Sequence, residues 1–288
     1  MSWEILLFIN LISATIREAL SKKIADKMSF SVGLFYIMVF SQVLLYLAFF
    51  ITQGSLPRFD LNVSAIGVIF VIAFSAYFAA IKISLSQSIL FQSYSILVTV
   101  ILTAIYLGEA KYFDLSTPTG IKVISGTLMA FIALWFLLHV GNKREERLEK
   151  KWFLYIGITI VFLGVGSFLS ISTLSRYTPM ETIINQGNLM TPLYLMLALI
   201  RKDKILIRKK ETFVIFANSV AGTIAVIAFY SALQIVPVSK FFPLQQVSLV
   251  ILTIITGYIF FNEKNIFSGR KFIGMLMGLG GILLLVTS

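Results

Sequence analysis

Residues 141–151 read Gly-Asn-Lys-Arg-Glu-Glu-Arg-Leu-Glu-Lys-Lys and divide the chain in two. It is a basic, polar hinge set between two long, almost continuously apolar regions. Working backward from it, apolar runs fall near 118–140, 86–107, 63–83, 31–52 and 3–20. Working forward, they fall near 152–174, 180–200, 212–234, 239–261 and 270–287. Each is about 20 residues long, the length an α-helix needs to cross a hydrocarbon core of about 30 Å. The runs are continuously apolar rather than alternating, which predicts helices and not a membrane β-barrel. The third and fourth runs almost touch, so a tight hairpin is expected between them. The first run begins at Trp3 without a basic flank or a small-residue cleavage site, and it is read as a retained helix.

Composition supports the same reading. The chain has 288 residues, of which 58% are hydrophobic and 13% charged, with a mean hydropathy of +0.92. Soluble domains are about a quarter charged, so a soluble enzyme, a disordered chain and a disulfide scaffold are excluded. Ten spans use the whole length. The absence of cysteine removes thiolate catalysis and cysteine-ligated metals, and the single histidine, His139, leaves little for a metal site or a triad. No cofactor is expected, and the chain is not read as an enzyme. The net charge of +11 has no aromatic platform beside it, so a nucleic-acid partner is not expected. The partners expected are a small-molecule substrate and the lipid bilayer.

The two halves repeat. A shift of 154 positions places Phe8, Ser13, Leu20 and Ser21 on Phe162, Ser167, Leu174 and Ser175, and Lys22 on Arg176. The same shift places Gln92, Thr99, Ile101, Ile105 and Glu109 on Gln246, Thr253, Ile255, Ile259 and Glu263. Phe113, Gly120 and Gly126 fall on Phe267, Gly274 and Gly280. The Gln, Glu and Gly matches carry the weight, because apolar matches are common in such a chain. Five is odd, so a second copy of five helices must enter the membrane inverted. The fold expected is all-α and integral to the membrane: ten transmembrane helices as two inverted five-helix repeats, 1–140 and 152–288, joined by the linker 141–151. That plan belongs to secondary transporters, whose site lies near the midplane between the halves. Ten helices in one chain complete such a site, so a monomer is expected.

Several short motifs sharpen this. The first half has Tyr106-Leu-Gly-Glu109, then Gly120 and Gly126. The second has Gly222-Thr, Ala232-Leu-Gln-Ile-Val-Pro237, Phe242-Pro243-Leu, Phe261-Asn-Glu263 and Gly274 through Gly280-Gly281. Over its whole length the chain resembles the drug/metabolite transporter superfamily, in its EamA-type ten-helix branch. The resemblance implies two inverted repeats, a central cavity and alternating-access movement of a small metabolite: an amino acid, a sugar, a nucleotide-type or a drug-like solute. Ser93-Tyr94-Ser95 stands where many members have a proline, and Phe30 to Tyr36 lacks an arginine often found there. No single member's substrate therefore carries over.

Polar side chains at membrane depth are costly and are candidates for function by default. The sequence offers Asn10, Ser13, Arg17 and Glu18 in the first span, Tyr77 in the third, and Gln92, Ser95 and Thr99 in the fourth. The second half offers Asn185, Gln186, Asn188, Asn218, Tyr230, Gln245, Gln246 and Thr253. The resemblance implies that the first, third and fourth helices of each half line the cavity, which favours Asn10, Tyr77, Gln92, Thr99, Tyr230 and Gln246 as substrate-binding residues. The competing role for each is a hydrogen bond between helices. Gln92 and Gln246 rank first because both repeats place an amide at the same point.

Other residues read as gating or structural. Glu109 and Glu263 end the fourth and ninth spans, where a carboxylate pairs with a loop cation or caps the next helix. Glu18 is the acid nearest to a mid-span position, and Arg17 beside it neutralises it, so proton coupling through a buried acid is not expected. Lys82 and Lys240 near the starts of helices four and nine are read as snorkelling, and His139 as interfacial. Pro237 reads as a helix-start proline. For Pro243, deeper in the run, a hinge and an ordinary helix start both stay open. Gly164, Gly166, Gly274, Gly278, Gly280 and Gly281 suit close helix packing, not phosphate binding, since no strand precedes them.

Of the 24 Lys and Arg, 19 fall on odd-numbered loops and 5 on even ones. The positive-inside rule then puts both termini outside, whereas the family resemblance implies both inside. The expected location is the cell membrane, multi-pass. A lipid-linked sugar or polyisoprenoid flippase of the same fold is the alternative to a solute transporter.

Overall fold

The computed structural model describes residues 1–25, 27–83, 91–92, 94–138, 150–261 and 269–288. These contain ten α-helices, one short 3-10 turn and no strand. The helices are α1 (Trp3–Ala25), α2 (Phe30–Gln53), α3 (Leu61–Ile83), α4 (Ser95–Tyr106), α5 (Pro118–Leu138), α6 (Lys150–Thr173), α7 (Pro179–Ile200), α8 (Lys209–Leu233), α9 (Val238–Phe261) and α10 (Gly269–Val286). The 3-10 turn Glu109–Phe113 follows α4.

Most boundaries lie within three residues of those read from the apolar runs. α1 continues to Ala25, through Lys22 and Lys23, because lysine favours a helix as much as a loop. α6 takes in Lys150 and Lys151, so the expected linker ends two residues early. The rest of that linker, His139, Glu263 and the expected hairpin at 84–86 lie outside the described residues. So do the side chains of Lys82 and Thr253.

Four helices, α2, α6, α7 and α8, are long and apolar enough to cross a membrane by length and composition among the described residues. Other helices have surfaces that fit the same solvent. α1 exposes Ile5, Phe8, Ile12 and Ile16 at helical spacing, and α4 exposes Leu97, Ile101 and Ile105. Such stripes are stable against lipid tails and unstable in water.

By packing, the chain forms two compact units, each drawing helices from both halves of the sequence. Unit 1 holds Met1–Phe74 and Leu169–Gln234. In it α1 packs on α8, and α2 on α7 and α8. Its core is Leu45, Phe49 and Ile184, closed by Tyr46, Met180, Ile183 and Ile227. α3 comes so close to α7 that a Cβ on Gly67 would lie 2.3 Å from the Gln186 carbonyl oxygen.

Unit 2 holds Ser75–Phe168 and Ile235–Ser288. Its main contact is α5 on α10. There Gly126 faces Gly281, and a Cβ on Gly281 would lie 3.0 Å from the Gly126 carbonyl oxygen. Small residues let the backbones approach, as expected where lipid offers no hydrophobic drive between helices. Ala130, Val247 and Ile251 form one core cluster, and Ala80, Trp152 and Ile156 another.

These contacts separate two glycine substitutions. Gly67→Ala must push α3 off the α7 backbone and is expected to destabilise by about 1–3 kcal/mol, the usual range for overpacking. Gly157→Ala, in α6 with nothing within 4 Å of its Cβ position, is expected to leave the melting midpoint in detergent unchanged or raise it.

Candidate functional site

In unit 1 the candidate polar residues are engaged mainly as ties between helices. Asn10 of α1 is buried and its Nδ2 donates to the Ala225 carbonyl of α8 at 2.8 Å. Farther along the same contact, Asn218 of α8 donates to the Arg17 carbonyl at 2.8 Å and to Ser21 Oγ at 2.9 Å. Arg17 pairs with Glu18 at 2.6 Å. On α7, Gln186 donates to Ser170 Oγ at 2.7 Å, and Ser170 lies within hydrogen-bonding reach of the buried Tyr230 hydroxyl. Asn188 Oδ1 accepts from Tyr46 at 3.0 Å.

One end of unit 1 carries a polar knot of which the sequence reading offered only Asn185. Arg58 in the α2–α3 loop donates to Glu181 of α7 through Nε at 3.0 Å and Nη2 at 3.3 Å. It also donates to the Arg176 carbonyl at 3.0 Å and lies over the Tyr177 ring. Glu181 closes a capping box with Thr178 at the start of α7. Asn185 accepts from the Asp60 N–H at 2.8 Å and donates to the Arg58 and Glu181 carbonyls at 2.8 and 2.9 Å. Tyr177 donates to Asp60. That bond holds the Asp60 carboxyl below its ordinary range and pushes the Tyr177 hydroxyl up.

Near the middle of the same unit, four buried oxygens have no partner among the described residues: Gln42 Oε1, Thr191 Oγ1, Tyr194 Oη and Thr223 Oγ1. Gln42 of α2 lies over Gly187, where a Cβ would meet its Nε2. Thr191 and Tyr194 follow Gly187 by one and two turns of α7, on the same face. Thr223 stands one turn beyond Ser219, which donates to the Ile37 carbonyl of α2 at 3.1 Å. The four groups thus face the junction of α2, α7 and α8. The sequence signal available was a mid-span Gln in the second run, readable only once α2 is known to pair with α7.

Unit 2 holds Tyr77, Gln92, Thr99 and Gln246. Thr99 is buried and donates to the Gly164 carbonyl of α6 at 3.0 Å. Tyr77, Gln92 and Gln246 are half-buried, and α4 packs against α9. Lys240 Nζ donates to the Ser288 carbonyl oxygen, just past the end of α10, at 3.0 Å.

Glu109 corrects one expectation. It caps a helix, but not the next one. Gly108, at φ 69, turns the chain left-handed after α4. The buried Glu109 carboxylate then accepts the N–H groups of Val238 at 2.8 Å and Ser239 at 2.9 Å, the first turn of α9. The carboxylate thus serves a helix of the other half of the sequence rather than α5, the next one. Pro237 immediately precedes α9, and its carbonyl accepts from Lys240 and Phe241 at 3.2 and 3.0 Å, as at a helix start. Pro243 lies inside α9. It has no N–H for the Ser239 carbonyl, and Ser239 Oγ is also buried without a partner among the described residues. That favours a local weak point in α9 over an ordinary first turn.

A family model described as the EamA-like transporter family matches residues 158–287. No curated protein matches the sequence. A crystal structure of a protein with 15% sequence identity superposes with a TM-score of 0.79, covering 98% of this chain and 96% of that one. At such identity the likeness shows the fold alone.

Glu109→Ala is expected to lower stability by about 1–3 kcal/mol, the cost of leaving buried donors unmet. Glu109→Gln keeps one acceptor oxygen and is expected to recover part of the loss. Thermal unfolding in detergent reads both.

Proposed function

We propose that this chain, an EamA-type member of the drug/metabolite transporter superfamily through residues 158–287, moves a small polar solute across the membrane by alternating access between two inverted five-helix repeats. The family match is the observation that carries the proposal. The packing supports the repeat. Helices related by the 154-residue offset lie against each other: α2 on α7 in unit 1, and α4 on α9 and α5 on α10 in unit 2. A pseudo-two-fold axis brings related helices together in this way. Exchange of partners follows the same rule, since α1 packs on α8 in unit 1 while Ala80 of α3 meets Trp152 and Ile156 of α6 in unit 2.

The substrate class follows from the available polar groups. Amides and hydroxyls dominate at span depth, which suits a neutral or zwitterionic solute that hydrogen-bonds. Of the six favoured residues, Asn10 and Thr99 have helix-tying bonds. Gln92 and Gln246, an amide at the same point of each repeat, are the first contacts to test for substrate. Coupling to a proton gradient through a buried acid has little support. Among the described residues, Glu18 pairs with Arg17, Glu181 with Arg58, and Glu109 with two backbone donors. Exchange of one solute for another fits this better.

The test is thermal stabilisation of the purified chain against amino acids, sugars, nucleotides and lipophilic cations, because a binder raises stability with the logarithm of its concentration over Kd. A stabilising solute is expected, and Gln92→Ala and Gln246→Ala are each expected to remove its effect. A solute whose effect survives both variants places the site elsewhere. Stabilisation by lipid-linked sugars alone favours a flippase.

A further inference from the structure

Unit 1 contains an open cleft of about 720 Å³ between the α1–α2 loop and the α7–α8 loop. That volume lies in the range of about 300–1,000 Å³ typical of ligand pockets. Five cations line it: Lys27, Lys204, Arg208, Lys209 and Lys210. Its two acids are already engaged within the chain. Asp203 accepts from the Ser31 hydroxyl and pairs with Arg201 at 3.5 Å. Glu211 accepts the Arg208 N–H at 2.9 Å, closing the first turn of α8. Among the described residues none of the five cations is in an ion pair. The cleft is therefore a concentrated positive field with its carboxylates turned inward.

A second observation names the source of the anion. The loop reads Lys204-Ile-Leu-Ile-Arg208, and Leu206, which lines the same cleft, is 95% exposed. The end of α7 beside it also exposes Leu199 and Ile200. A free phosphate compound gives no reason to hold leucine out of the protein. A lipid does: cations meet headgroup phosphates while the apolar tip enters the acyl boundary. Both loops are odd-numbered, the face to which the charge count assigns the cytoplasm, where anionic lipid is enriched.

We propose that this cleft binds the phosphate headgroup of an anionic phospholipid, with Leu206 inserted among the acyl chains. The proposal rests on the chain being integral to the membrane and on the orientation that its charge count gives.

The full chain, purified in a neutral detergent, is titrated with phosphatidylglycerol, phosphatidylcholine or inorganic phosphate. Native mass spectrometry counts retained lipid, and the thermal midpoint reads stabilisation. Phosphatidylglycerol is expected to be retained and to raise the midpoint, and the other two are not. Each cation removed is expected to weaken phosphatidylglycerol about fivefold, so Lys204→Gln, Lys209→Gln and Lys210→Gln together cost about a hundredfold. The corresponding triple Arg variant restores binding, which separates lost charge from lost fold. Leu206→Ser keeps every charge and still weakens retention. Equal retention of the two lipids overturns the proposal, as does full retention by the Gln variant. Protection by inorganic phosphate equal to that by phosphatidylglycerol makes the ligand a soluble phosphate compound and also overturns it.

Discussion

A carboxylate buried against the first turn of a helix 129 positions away ties two distant elements of unit 2 together. The first N–H groups of any helix lack a partner within it. Val238 and Ser239 are buried away from water, so the protein must supply the acceptor. Glu109 does so for α9, and its charge suits the positive end of the helix dipole. The bond fixes the end of α4 to the start of α9. With that junction set, Gly126 and Gly281 bring α5 against α10, and Ala130 packs with Val247 and Ile251. The same junction holds Pro237, Ser239 and Pro243, so a secured helix start and a weakened following turn lie within six residues.

Unit 1 obeys the same constraint with side-chain amides. Asn10, Asn185 and Asn218 each give a hydrogen bond to a carbonyl on another element, and Asn185 meets four groups at once. Against this background the oxygens of Gln42, Thr191, Tyr194 and Thr223 stand out. An unmet buried polar atom costs about 1–3 kcal/mol.

The helices were legible because a span of about 20 apolar residues has few other uses, and Lys150 and Lys151 were misplaced only because lysine suits helix and loop alike. The expectation of a repeat rests on Gln, Glu and Gly residues that keep one offset. Contacts were less legible. Asn10 and Thr99 bond to backbone carbonyls, which have no sequence signature. Arg58 and Glu181 are 123 positions apart, in a loop and at a helix start, and no spacing rule joins them. Glu109 was readable as a cap, yet the helix it caps lies in the other half of the chain.

Solute counterflow tests transport most directly. Proteoliposomes are loaded with a solute that stabilises the protein, and uptake of the labelled solute is followed with and without that load. Transport by exchange predicts trans-stimulated uptake that survives collapse of the proton gradient and is lost in Gln92→Ala and Gln246→Ala. Binding with no uptake above that of protein-free vesicles, in either loading state, contradicts it and leaves a membrane protein that holds its ligand without moving it.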